Sequence, residues 1–217
     1  TVTEDDVAFG PENLAIAHDD IDMRIAMSLD AVDMSGQREA DPTRMSGGQQ
    51  QRVAIAGMLA MNPEILVLDE PTAMLDPQGR ADIMHILDEL QQHGTTIILV
   101  THHRDEFVNA DRIIRLDNGR IVQSARGNTA SISEMDESDT AQEDNPIAKS
   151  NIANGASKPT SAVPIIEIHN LIYQYPNSSK PVLDKLSITI NKGETVAITG
   201  HNGAGKTTLA RLLCALE

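Results

Sequence analysis

The run Gly200-His201-Asn202-Gly203-Ala204-Gly205-Lys206-Thr207 matches the Walker A pattern G-x-x-x-x-G-K-[ST]. Glycines at these spacings let backbone N–H groups turn inward around phosphate oxygens. A helix starting where the loop ends adds its N-terminal dipole to that anion site. Lys206 is placed to reach the β- and γ-phosphates of a nucleotide, and Thr207 to offer its hydroxyl to Mg²⁺. Gly200, Asn202, Gly203, Gly205, Lys206, Thr207 and Thr208 are therefore the candidate nucleotide contacts. A glycine-rich turn could meet the pattern by chance. An apolar run at 196–199 before the loop and a helical pattern after it supply the context that chance would not.

A second set of groups could act on what the loop holds. Ile65-Leu66-Val67-Leu68 is an apolar run that ends in Asp69-Glu70. Asp69 suits the Walker B task of holding Mg²⁺ from a strand's carboxyl edge. Glu70 is next in line to polarise an attacking water, which requires a carboxylate within hydrogen-bond reach. Taken alone, the acid pair followed by Pro71-Thr72 also reads as a solvated turn. His102, after the run at 96–101, could sense a γ-phosphate and the attacking water. Taken alone, it reads as an exposed histidine beside His103.

These groups need elements to hold them. The pattern expects a capping box at Thr1 and Glu4 opening a helix that Gly10-Pro11 ends. Helices are expected at 20–33, from 45–49 to about 61, at 78–92 and at 103–108, with the last helix from 205 onward. Continuous apolar runs at 65–68, 96–101 and 196–199 predict strands buried on both faces of a parallel sheet. Strands are also expected at 112–116 and 120–123, and alternation at 165–175 and 182–190 predicts antiparallel strands. The expected fold class is α/β with a parallel core sheet. Residues 124–163 are rich in Ser, Asn, Ala, Thr and acids, and read as a flexible acidic linker.

Composition narrows the function classes. The 217 residues carry a formal net charge of −15. That balance argues against a nucleic-acid surface, which needs a basic footprint, and against adsorption to anionic lipid. Cys214 is the single cysteine, so no internal disulfide forms and a reducing compartment is the simplest expectation. No apolar run approaches the length of a membrane span.

Taken together, the motifs resemble the ABC transporter ATPase family, a P-loop NTPase fold with a helical signature subdomain and an antiparallel β subdomain. Met45-Ser46-Gly47-Gly48-Gln49 resembles the family's signature, with Met where Leu is usual. Ala73-Met74-Leu75-Asp76 resembles the D-loop, with Met74 where Gly is common, and Thr101-His102 resembles the switch histidine. Tyr175 resembles the aromatic that stacks on adenine, with Tyr173 the runner-up. Asp6-Val7-Ala8-Phe9-Gly10-Pro11-Glu12-Asn13-Leu14 and Glu70-Pro71-Thr72-Ala73-Met74-Leu75-Asp76-Pro77 resemble the energy-coupling factor (ECF) branch, importers of vitamins or transition-metal ions.

The resemblance implies ATP and Mg²⁺ as cofactors, with Thr207 and Asp69 as metal ligands and Glu70 and His102 as catalytic residues. It implies that Ser46, Gly47, Gly48, Gln49 and Asp76 contact a nucleotide held by a paired ATPase domain. Residues 1–123 then read as the C-terminal part of one ATPase domain and 164–217 as the start of a second, in a tandem protein of which this chain is a fragment. On that reading the chain supplies part of two sites, completes neither and has no appreciable ATPase activity alone. A circularly permuted fold, with the phosphate loop completing the first sheet, is the alternative.

The implied partners are a transmembrane coupling protein and a substrate-binding membrane component at the cytoplasmic face of the membrane, with no nucleic acid. Glu4, Asp5 and Asp6 are expected either to receive basic partner residues or simply to favour a helix N-terminus. The rival functions are a soluble tandem ATPase acting in translation or regulation, and a non-hydrolysing ABC domain. The sequence Thr72-Ala73-Met74-Leu75-Asp76 argues against the first, and Glu70 with His102 against the second.

Overall fold

The computed structural model describes residues 2–126, 163–176 and 178–215. In chain order these form α1 (Thr3–Asn13), α2 (His18–Ala31), α3 (Gly47–Ala60), β1 (Ile65–Asp69), α4 (Pro77–Gln92), β2 (Thr96–Val100) and α5 (Arg104–Phe107). Then come β3 (Arg112–Asp117), β4 (Arg120–Arg126), β5 (Pro164–Tyr173), β6 (Leu183–Asn191), β7 (Thr195–Thr199) and a last helix, α6 (Lys206–Leu213).

Five strands form one sheet in the order β1-β2-β7-β3-β4, with β5 and β6 paired antiparallel in a second. β1, β2, β7 and β3 run parallel, and β4 returns antiparallel to β3. Every residue of β2 is buried, which explains the apolar run Ile97 to Val100. One sheet face packs on the helices α1 to α4 through Ile25, Leu29, Ile55 and Ile83. The other packs on α6 and the β5–β6 pair through Leu183, Ile190 and Leu209. The expected α/β P-loop architecture, with its parallel core and antiparallel pair, is what the structure shows.

The strand arrangement unites residues that the sequence reading assigns to two domains. β7, the strand leading into the phosphate loop, lies between β2 and β3, pairing Ile98 with Val196 and Ile113 with Ala197. The reason lies in the hydrogen bonding of the sheet. Without β7 the facing edges of β2 and β3 would leave backbone N–H and C=O groups unpaired inside the core. Val196, Ala197 and Ile198 have no polar side chain to hide and are all 0% exposed there. Among the described residues the phosphate-loop strand thus lies in the same sheet as β1 and β2.

Two local expectations change. α1 runs through Gly10-Pro11 to Asn13 rather than stopping there. Its N-cap is Val2, whose backbone N–H donates to the Asp5 carboxylate at 3.0 Å. The expected cap at Thr1 lies outside the described residues, as does most of the expected linker, of which 124–126 extend β4.

Candidate functional site

The phosphate loop leaves β7 at Gly200, whose φ of 142° is open mainly to glycine. A side chain there would strike the Leu116 carbonyl oxygen on β3. The loop closes at Gly205, which takes the left-handed conformation as N-cap of α6. Lys206 folds back over the loop, its Nζ donating to the carbonyl oxygens of Gly200 at 2.7 Å and His201 at 3.2 Å. Those two bonds hold a buried ammonium in the hollow of the loop, where an anion could replace them.

The first half of the chain supplies the other wall. A recess of about 240 Å³ is lined by Asn202, Gly203, Gly205, Lys206, Thr207 and Thr208 from the loop, and by Glu70 and Val182. Glu70 follows β1 directly, in a left-handed conformation with φ of 48°. Its N–H still donates to the Val100 carbonyl at 2.9 Å, so β2 sets its height. Such backbone at a non-glycine residue is costly, and here it sits where a reactive carboxylate would be needed. Glu70 Oε1 lies 3.2 Å from His102 Nδ1. The structure thus brings Glu70, His102 and the phosphate loop to one place.

Tyr175 also arrives there. Its hydroxyl shares a 3.3 Å hydrogen bond with the Thr208 hydroxyl in the first turn of α6. Tyr173 packs edge-on to it, ring centres 5.1 Å apart, and belongs to the core beneath β5 and β6. Asp69 ends β1 exposed and does not line the recess. Asp69 and Thr207 are oxygen donors, the right kind for a hard cation. Among the described residues no cluster of three or more acidic, His or Cys side chains forms a complete metal cage.

The signature residues occupy a different recess of about 570 Å³, lined in part by Ser46, Gly47, Gly48, Gln49 and Asp76. None of its lining residues lines the phosphate recess. Ser46 caps α3 reciprocally with Gln49: its hydroxyl accepts the Gln49 N–H at 3.3 Å, and the Gln49 side-chain oxygen accepts the Ser46 N–H at 3.0 Å. Asp76 caps α4, accepting the Gly79 N–H at 2.7 Å. Met74 is 94% exposed on the same rim.

The sequence reading passed over the turn that braces the phosphate loop. Asn118 and Gly119 both have positive φ and join β3 to β4 in a tight hairpin. The Gly119 N–H donates to the Ala204 carbonyl, and the Gly119 carbonyl accepts from the Asp184 N–H, each at 3.0 Å. The Asn-Gly pair signals a turn in sequence, but nothing in it says that the turn backs a loop from the other end of the chain. Beside it, His201 Nε2 lies 2.7 Å from Asp117 Oδ1, and Nδ1 lies 2.7 Å from the Asn202 carbonyl oxygen.

Those two partners raise the His201 pKa, the Asn202 carbonyl most and Asp117 next. A histidine that binds its proton more tightly when folded stabilises the fold fully below about pH 6.5. The benefit is lost as pH rises through the raised value. The melting temperature should therefore drop across that window, and His201→Asn should flatten the drop. An identical pH profile for the variant would show that the pair contributes nothing.

A model of the family described as ABC transporter matches residues 1–73 and 183–217, on both sides of the recess. A Bifidobacterium longum (strain NCC 2705) protein named as an ABC transporter ATP-binding protein is 49% identical over 239 residues, covering 100% of this chain and 30% of that protein. The energy-coupling factor transporter ATP-binding protein EcfA1 of Clostridium novyi (strain NT) is 54% identical over 123 residues, 56% of this chain and 44% of its own length. The chain thus spans less than half the length of these curated relatives. Among solved structures, cbiO1 of Clostridium perfringens, part of the ABC transporter complex cbiONQ, superposes with a TM-score of 0.57 at 34% identity. That superposition covers 62% of this chain and 54% of cbiO1. By its motifs, its sheet order and these matches, the chain belongs to the ABC transporter ATPase family.

Proposed function

We propose that the chain binds MgATP in the recess formed by residues 200–208 and Glu70, and that it serves as ATPase machinery of an ECF-type importer. The observation that carries this reading is the convergence of the phosphate loop and Glu70 on one recess, with His102 held beside Glu70. Gly200, Asn202, Gly203, Gly205 and Thr208 line or shape the cradle, and Lys206 exchanges its two carbonyl partners for phosphate oxygens. Tyr175, beside Thr208, takes the adenine. Thr207 and Asp69 would hold Mg²⁺, which would supply charge neutralisation on the phosphates. Glu70 accepts a proton from the attacking water, and His102 holds Glu70 in line.

The signature recess faces a second ATPase unit, where Ser46, Gly47, Gly48 and Gln49 cap that unit's nucleotide with the head of α3. Because the two recesses share no residue, one copy alone binds ATP without appreciable turnover. In a tandem protein the partner unit would be part of the same polypeptide, with 1–123 and 164–217 contributing to different domains. There β7's place in the first sheet would be taken by that domain's own phosphate-loop strand.

The membrane partner docks on the helical side and keeps the protein peripheral to the membrane. Among the described residues no helix is long and apolar enough to cross a bilayer. A groove of about 800 Å³ between α1 and α3 is lined by Phe9, Leu14, Val53, Met58 and Met61, with Asp6 at its edge. Phe9 is 70% and Leu14 58% exposed. Of the three acids expected to receive basic residues, Glu4 is engaged by Arg38 at 2.5 Å and Asp5 caps α1. Asp6 is the one beside the groove. An apolar helix face carrying one basic residue fits this surface. The likeness to the ECF ATPases supports a role in the import of vitamins or transition-metal ions.

Nucleotide retention tests the core of this reading. The chain should bind MgATP, and Lys206→Met should weaken it by about 100-fold or more. That is the loss expected when charge-assisted bonds of about 1.5–3 kcal/mol each disappear. Equal retention by wild type and variant in equilibrium dialysis would refute the assignment of the recess.

A further inference from the structure

We infer that Glu106 is a positioning residue that clamps the Glu70 turn to the His102 loop. Glu106 sits in α5, a four-residue helix, and is 2% exposed. A buried carboxylate is unusual, and its burial is tolerated only where hydrogen bonds replace lost water. Here both oxygens are used. The Thr72 hydroxyl donates to Oε1, and the Thr101 hydroxyl donates to Oε2 at 2.5 Å. Thr72 and Thr101 are 1% and 0% exposed, so neither bond competes with solvent.

The two hydroxyls belong to the two segments that must meet. Thr72 stands two residues beyond Glu70, in the turn where the Ala73 N–H donates to the Glu70 carbonyl at 3.2 Å. Thr101 directly precedes His102, and its hydroxyl also accepts the His103 N–H at 3.0 Å. One carboxylate therefore ties the backbone on the far side of Glu70 to the backbone on the near side of His102. The 3.2 Å contact between Glu70 Oε1 and His102 Nδ1 closes the other side of the same ring of interactions. Glu106 does not line the phosphate recess, so it touches neither nucleotide nor water there. An aliphatic side chain at 106 would fill the space with no polar burial. The carboxylate specifies instead one separation between the two segments. At a hydrolytic centre such alignment decides the rate.

The inference rests on the hydrolytic role proposed for Glu70, and its test separates the two. Glu106→Gln keeps the shape but turns one acceptor into a donor, so one threonine hydroxyl loses its acceptor and must turn its proton away to accept from the amide. In the chain without nucleotide, the ring-nitrogen resonances of His102 should move in Glu106→Gln and in Thr72→Val, and return to the wild-type position in Thr72→Ser. In the full-length protein, Glu106→Gln should lower kcat by about tenfold to a hundredfold, with MgATP affinity within twofold of wild type. Unmoved His102 resonances in both Glu106→Gln and Thr72→Val would overturn the clamp. So would a parallel fall in kcat, affinity and melting temperature, which marks a merely structural carboxylate. Should wild type itself fail to hydrolyse ATP, the reading of Glu70 falls while the resonances still decide the clamp.

Discussion

Ile198→Asp is expected to unfold both parts of the chain together. Ile198 is 0% exposed in the middle of β7, paired with Val100 on one side and Ile114 on the other. An unpaired carboxylate at such a site costs on the order of 3–5 kcal/mol, and the lost apolar packing adds about 2–5. A domain of this kind holds only about 5–15 kcal/mol in total. The conservative change Ile198→Val should cost about 0.5–1.5 kcal/mol and leave the fold intact. Hydrogen exchange read at individual amides is the deciding measurement. In Ile198→Asp, protection should vanish in β1 and β2 as well as in β6. Retained protection across α1 to α3, β1 and β2 would mean that residues 1–123 fold without β7, contrary to the single sheet described above.

Glu70→Gln is expected to lower kcat for ATP hydrolysis by about 10²- to 10⁴-fold, the range that a positioned general base contributes. That corresponds to about 3–5 kcal/mol of barrier. The amide matches the carboxylate in shape and can still accept a hydrogen bond from His102, so the geometry at 3.2 Å has a reason to persist. What disappears is the capacity to take a proton. MgATP affinity should stay within a few-fold, because the lysine and backbone of the phosphate loop facing Glu70 carry binding. The measurement is single-turnover hydrolysis beside equilibrium binding on the full-length protein, where a second unit brings its signature to the nucleotide. A variant that hydrolyses at the wild-type rate removes Glu70 from the base role. One that no longer binds shows instead that Glu70 shapes the cradle.

These expectations differ in how far they could be read without coordinates. The phosphate loop was plain, because its function is carried by local backbone: glycines at fixed spacing, then a lysine at a helix start. The Asp69-Glu70 step was nearly as plain, since a buried strand announces itself as an unbroken apolar run. The capping of α3 was also written locally, in Ser46 and Gln49, although its reciprocal bonds emerged only with the structure. Pro11 misled in the other direction. It reads as a stop, yet α1 continues past it to Asn13.

The braces of the site were not legible. Glu106 and Asp117 carry no pattern of their own, Gly119 announces only a turn and His201 only fills a variable position of the phosphate loop, and each acts on a partner supplied by another segment. Gly119 meets Ala204, and Glu106 meets Thr72, across long stretches of chain. The sequence by itself determined the family, the candidate reacting groups and the kind of ligand they suit, because those depend on side-chain chemistry and short-range geometry. Only the tertiary structure decided that β7 enters the sheet between β2 and β3, and so that Lys206 and Glu70 line one recess. Strand edges are alike in sequence, and which one a strand satisfies is settled by the burial and hydrogen bonding of the whole sheet.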